Sequence, residues 1–265
     1  MRFSIITVTY NAAATLEGTL RSVLIQSYPD VEYIVVDGAS TDGTQQIAER
    51  YLAPTDGYRH AIARFISEPD GGIYYAMNKG IALATGDYLL FLNAGDRLHR
   101  ANVLEQLSRA IERSATTHGV MPPVVYGETE LIDAQGHDLG PRRLHTPDTL
   151  TWRSFRRGMV VCHQSFLVLR TYALRHPYNL SYRYSADQDW CIRIMKQAQQ
   201  DLPDTPAKHV LLNSRTLISD YLNEGTTTRH HRDSLRERFV IYRHHYGLLT
   251  TLLCHVWFLL RAAFK

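Results

Sequence analysis

The sequence predicts an α/β fold with a mostly parallel central sheet, flanked by helices and followed by an amphipathic helical tail. Three observations predict it. Short β-branched runs alternate with helix-spaced segments over the first 115 residues. A polar turn rich in Asp, Gly, Ser or Asn follows each run. The last seventeen residues place their apolar side chains on one helical face.

The elements follow in order. Phe3–Val8 reads as a buried strand, and Leu16, Leu20, Val23 and Leu24 mark a helix over Ala14–Gln26. Tyr33–Val36 is a second strand, and Asp42–Leu52 a second helix. Arg64–Ser67 is a third strand, with a helix over Ile73–Ala84 that ends at Gly86. Tyr88–Leu92 and Asn102–Arg113 form the fourth pair. Such alternation with short links gives a parallel sheet covered on both faces, with ligands at the carboxyl ends of the strands. The second half is less regular. Val124–Glu128 and Val160–Leu169 read as strands, Asp187–Ala198 as a helix and Val210–Ile218 as strand-like pieces.

Composition sets the outer limits. The 265 residues are 45% hydrophobic and 21% charged, which excludes a disordered, collagen-like or multi-span membrane chain. A net charge of +3 does not argue for nucleic acid. Cys162, Cys191 and Cys254 are widely spaced, so a reducing compartment is expected rather than a disulfide framework. The N-terminus has no signal-peptide pattern. Residues 1–228 read as one domain and 229–265 as a tail with seven basic and two acidic residues.

Functional residues are expected directly after the strands. These are Thr9-Tyr10-Asn11, then Asp37 to Thr44, then Ser67 to Gly72, then Asn93-Ala94-Gly95-Asp96. Thr41, Asp42 and Thr44 precede a helix and read as capping residues. Asp37 and Asp96 each follow a buried strand closely and converge across the sheet edge. One carboxylate can accept hydrogen bonds from a base or sugar, and the other can hold a hard divalent cation on a diphosphate. No G-x-G-x-x-G follows the first strand and no P-loop occurs, which argues against a dinucleotide oxidoreductase or a P-loop ATPase.

Ser4–Asn11, Val35–Thr44, Ser67–Gly80 and Phe91–Asp96 occur here in a particular order and spacing, with Cys162–Phe166 and Ser185–Arg193 further on. In this the sequence resembles family 2 glycosyltransferases of the GT-A fold, a Rossmann-like architecture. The similarity is greatest to bacterial exopolysaccharide and O-antigen enzymes of the colanic acid type. The resemblance implies inverting transfer from a nucleotide-activated sugar, a UDP-sugar being favoured, by an enzyme of the hexosyltransferase type. It implies donor binding by Val8, Thr9, Tyr10, Asp37, Asp70, Asn78, Lys79 and Asn93, and Mg or Mn at Asp96. His163, Gln164 and Trp190 fall on the acceptor side. Two positions depart from the pattern: the D-x-D motif reads Asn-Ala-Gly-Asp, and Tyr75 stands where relatives carry Asp. A sugar-1-phosphate nucleotidyltransferase would need a Gly-rich basic loop where Asn11-Ala12-Ala13-Ala14 stands. A non-catalytic sugar-binding relative would not need Asp37, Asp96 and Asp187 together.

One-step inversion needs a base for the acceptor hydroxyl. Asp187 and Asp189 are the candidates. The resemblance puts the base six residues before an Arg or Lys, which selects Asp187 ahead of Arg193. Asp189 lies about 200° further round the helix and faces elsewhere. The tail face of Leu249, Leu252, Leu253, Val256, Trp257, Leu259, Leu260, Ala263 and Phe264 suits either docking on the chain's own core or lying in a membrane surface. The resemblance implies a saccharide or polyprenyl-diphosphate-linked acceptor and a place at the inner face of the bacterial cytoplasmic membrane. His230-His231 and His244-His245 read as solvated or phosphate-facing.

Overall fold

The computed structural model describes residues 1–223 and 231–263. His230 and Phe264, named above, and the side chain of His231 lie outside the described residues. The strands are β1 (Phe3–Thr9), β2 (Val31–Asp37), β3 (Arg64–Ser67), β4 (Tyr88–Phe91), β5 (Arg97–Leu98), β6 (Val124–Ile132), β7 (Asp138–Pro141), β8 (Phe166–Leu169) and β9 (Leu211–Leu222). The helices are α1 (Leu16–Leu24), α2 (Thr44–Glu49), α3 (Ile73–Leu83), α4 (Val103–His118), α5 (Arg170–Arg175), α6 (Ala186–Asp201), α7 (Ala207–Val210), α8 (His231–Tyr246) and α9 (Leu248–Ala263).

The strands form one sheet in the order β3-β2-β1-β4-β8-β6-β9-β5, with β7 on β6. β3, β2, β1 and β4 run parallel, and register puts Thr9 beside Asp37 and Asp37 beside Ser67. Beyond them β8 is antiparallel to both β4 and β6, while β9 runs parallel to β6. Side chains alternate across the sheet. Phe3, Ile5, Tyr33 and Val35 face α1 and α4, while Ile6, Val8, Ile34 and Val36 face α3 and α6. Gly80 lets α3 approach closely, since a Cβ there would collide with Ile6.

Two elements differ from expectation for local reasons. The strand expected over Val160–Leu169 is a short 3₁₀ turn at His163–Ser165 followed by β8. The turn lets Gln164 and Ser165 bond to Asp96 and the Glu128 carbonyl. The tail expected after residue 228 is not one unit. Ser234, Ile241, Tyr242 and His245 of α8 are buried, so this helix belongs to the body. Gly247, with φ of 79°, makes the turn into α9.

Candidate active site

The loops after β1 and β2 are locked together. Asp37 is fully buried and accepts bonds from the Ser40 amide (2.8 Å), the Ser40 hydroxyl and the Ser67 hydroxyl (2.6 Å). Asn11 accepts from the Thr41 amide, and its own amide donates to Ser40. Asn11 and Ala39 both hold positive φ, 47° and 62°, a conformation side chains usually avoid and active sites often impose. Asp42 accepts from the Thr44 amide and hydroxyl, as a capping residue does.

The surface where these strand ends meet is termed the cleft. Tyr10 is 67% exposed at its rim. A Cβ on Gly38 would sit 3.2 Å from the Tyr10 ring and 3.4 Å from an Asp70 oxygen, so the three surround one point. Thr9 Oγ1 and Asn93 Oδ1 are buried without a partner among the described residues. Such atoms at the ends of neighbouring strands are suited to a polar ligand. Lys79 pairs with Glu68 at 2.8 Å on the same side.

Asp96 lies on the cleft floor, 3% exposed. Its oxygens accept from Gln164 Nε2 (2.8 Å) and the Leu222 amide (3.0 Å). Burial pushes its carboxyl up to about 7 against those two bonds. Gln164 in turn accepts from Cys162 Sγ. Next to it, His163 Nε2 is 2.6 Å from the Tyr178 hydroxyl, and burial holds this imidazole down to about 4. Tyr178 stacks on Tyr74, and the Tyr74 hydroxyl donates to Asp187 Oδ1 at 3.2 Å. A continuous line of contacts therefore joins Asp96 to Asp187.

Asp187 opens α6 and is partly exposed, while Asp189, in the same first turn, is 2% exposed. Asp189 accepts from Arg193 Nε (2.7 Å) and meets His245 Nε2 (2.8 Å). The start of α6 is held from below by Glu237 of α8, whose carboxylate accepts from the amides of Arg183, Tyr184 and Ser185. This arrangement caps α6 with a charge that favours a helix N-terminus.

Three of the expected site residues turn inward. The Val8 side chain is in the core, and its carbonyl accepts from the Ala94 amide. Asn78 spends its amide on the backbone of Tyr178, at 3.0 and 2.8 Å, and so positions that ring. Trp190 is fully buried and stacks on Tyr178 at 4.7 Å, so it supports the acceptor side from within. Tyr75 lies over Gly71 at the cleft rim. Sequence reasoning missed Tyr178 and Glu237, and His245, read as solvated or phosphate-facing, is instead buried against Asp189. Tyr178 follows Pro177, and Glu237 lies some fifty residues from the loop it caps, so no local pattern marks either.

Comparison with known proteins places this geometry. The model of glycosyl transferase family 2 matches residues 4–176. The chain belongs to glycosyltransferase family 2. It is a transferase. It is 38% identical over 192 residues to a PGL/p-HBAD biosynthesis glycosyltransferase of Mycobacterium bovis, covering 72% of this chain and 68% of that one. It is 32% identical over 158 residues to the Bacillus subtilis teichuronic acid biosynthesis glycosyltransferase TuaG, covering 60% and 58%. Among solved structures, Staphylococcus aureus TarS residues 1–349 with UDP-GlcNAc gives a TM-score of 0.67 at 17% identity, covering 97% of this chain and 73% of that one. A Pyrobaculum calidifontis mannosyltransferase with GDP-Man and Mn2+ gives 0.58 at 16%, covering 96% and 73%. The family 2 chain thus has the GT-A fold, with a curled central sheet between helices.

Proposed function

We propose that this family 2 enzyme transfers a sugar from a nucleotide diphosphate, UDP being favoured, with inversion at the anomeric carbon. The acceptor is a saccharide of a bacterial surface glycan borne on polyprenyl diphosphate, which puts the enzyme peripherally at the inner face of the cytoplasmic membrane. The observation that carries the reading is the unbroken contact path from Asp96, on the donor side, to Asp187 at the mouth of α6. The names of the mycobacterial and Bacillus relatives support a role in cell-surface glycan synthesis.

Tyr10, Gly38 and Asp70 receive the nucleoside, and Asp37 holds the loop that forms this pocket. Thr9 Oγ1 and Asn93 Oδ1 supply polar contacts to the donor. Asp187 takes the proton of the acceptor hydroxyl as its oxygen bonds to the anomeric carbon, and the bond to the diphosphate breaks with its electron pair on the leaving phosphate. Tyr74 orients the Asp187 carboxylate through its hydroxyl. His163, neutral and buried, positions Tyr178 rather than acting as a base. The Asp96 carboxylate is a hard-oxygen ligand of the kind that suits Mg or Mn, which take few protein ligands beside substrate phosphates. Asp96 would hold the ion, which when bound would neutralise charge on the departing diphosphate.

A panel of UDP- and GDP-sugars, assayed for nucleotide release with Mn2+ and a lipid-linked acceptor, tests the reading. Acceptor-dependent release that yields the opposite anomer supports it. Retention of the donor's anomeric configuration, or no release with any donor, overturns it.

A further inference from the structure

The last helix is docked by the face that the sequence marks as polar. Thr251 is fully buried, and Cys254, His255 and Phe258 are partly covered. His255 packs on Phe239 and Tyr242 of α8, and Phe258 packs on Tyr242. The opposite face is left bare. Leu249, Leu253 and Leu259 are 75%, 63% and 71% exposed, and Leu252, Val256 and Leu260 are about half exposed. An amphipathic helix packed on its parent domain ordinarily does the reverse. A bare apolar stripe of this length marks a contact surface.

Charge identifies what covers it. Trp257 sits at the edge of the stripe and also lines a recess of ≈ 530 Å³ with Arg143, His145, Arg153 and Arg157. Among the described residues no acidic side chain lines that recess. A second copy of the chain docked about a two-fold axis would set two such cationic rims against each other. An anionic bilayer meets both needs at once, with acyl chains for the leucines and phosphates for the arginines. Among the described residues no helix is long and apolar enough to cross a membrane, so the helix lies in the surface plane.

We propose that α9 docks in the surface of an anionic phospholipid bilayer, with its leucine face among the acyl chains and the Arg143, Arg153 and Arg157 recess on headgroup phosphates. This extends the reading of a lipid-borne acceptor. Its test measures lipid binding without any sugar donor, so either can fail while the other stands. The test uses the full chain and vesicles of phosphatidylglycerol and phosphatidylcholine, against phosphatidylcholine alone. The protein should float with the anionic vesicles, and brominated lipid should quench its tryptophan fluorescence less after Trp257→Phe. Leu249→Glu/Leu253→Glu alters exposed positions and should abolish flotation. Arg153→Gln/Arg157→Gln should weaken it about fivefold per arginine and reduce its sensitivity to salt. Equal binding of free inorganic phosphate by the arginine variant and the parent would remove the arginines from any phosphate site. The proposal is overturned if the parent stays in solution with anionic vesicles. It is also overturned if light scattering shows a dimer that Leu249→Glu/Leu253→Glu splits while flotation is absent. Should the leucine variant fail to fold, the quenching and arginine results decide alone.

Discussion

His245 Nε2 stands 2.8 Å from Asp189 Oδ1, in a contact where both side chains are 3% exposed. Burial holds the imidazole below the usual histidine range although Asp189 opposes the shift, so a neutral ring donates to the carboxylate. Asp189 is therefore a brace between α6 and α8, while Asp187, two residues earlier, is left open to the cleft.

The two aspartates should separate stability from chemistry. Asp187→Asn is expected to keep the melting temperature and nucleotide affinity and to lower transfer by about 10²–10⁴. Asp189→Asn weakens the bonds to Arg193 and His245 and should cost roughly 2–4 kcal/mol of stability, with near-normal turnover per folded molecule. Thermal unfolding beside a transfer assay reads both. A well-folded but inactive Asp189→Asn variant would move the base to Asp189.

Two buried groups in the cleft floor set opposing pH dependences. An unfolded histidine binds its proton near about 6.5, and folded His163 only near about 4. Between those values the unfolded chain holds the extra proton, so stability falls as pH falls, by roughly 2–4 kcal/mol in all. Asp96 runs the other way. Its folded carboxyl takes a proton near about 7 and an unfolded one near about 3.9, so its contribution is complete below the lower value and is lost as pH rises through the higher. Urea unfolding from pH 4 to 8 should show partial cancellation in the parent. His163→Gln should leave stability rising towards acid, and Asp96→Asn should leave it falling. At pH 8 Asp96→Asn should melt above the parent while losing Mn2+-dependent donor binding.

Glu237 holds three amides in front of α6 from another helix. Glu237→Ala leaves those donors to water and should lower stability by about 2–3 kcal/mol. It should also lower kcat with little change in the donor KM, since the donor is held by the β1–β4 half. Glu237→Gln, with one oxygen retained, should recover part of both. An unchanged kcat in Glu237→Ala would disconnect α8 from the position of Asp187.

The Asp37 carboxylate accepts three bonds, from the Ser40 amide and the Ser40 and Ser67 hydroxyls, and shapes the loop at Gly38. Asp37→Ala should weaken UDP binding, by calorimetry, through loss of that loop conformation. Ser67→Ala should show a smaller loss in the same direction, which a direct base contact alone would not produce.

The parallel half was legible because its signals are local. Phe3–Val8 and Tyr33–Val36 are short runs dominated by β-branched and aromatic residues, and the register that aligns Thr9, Asp37 and Ser67 follows once they pair. Asp37, Asp96 and Asp187 were placed by motif, and their surroundings agree with polar roles. The inward turn of Asn78, Val8 and Trp190 was not legible in the sequence, because a motif position does not say which way a side chain turns. Which face of α9 docks stayed open for a related reason. Helical periodicity reveals that two faces differ, yet which one docks depends on Phe239 and Tyr242, whose rings His255 and Phe258 pack against.

The capping of α6 by α8 also bears on how the enzyme is made. The parallel strands and their helices are complete by residue 118 and can pack as the chain leaves the ribosome. The α6 segment emerges well before Glu237 and His245 do. Until they arrive, three amides and the Asp189 carboxylate lack their partners, and the mouth of α6 is not fixed. On the proposed reading, a nascent chain would acquire its nucleotide pocket early and the fixed position of Asp187 last. Prematurely ended chains would then bind donor without transferring its sugar.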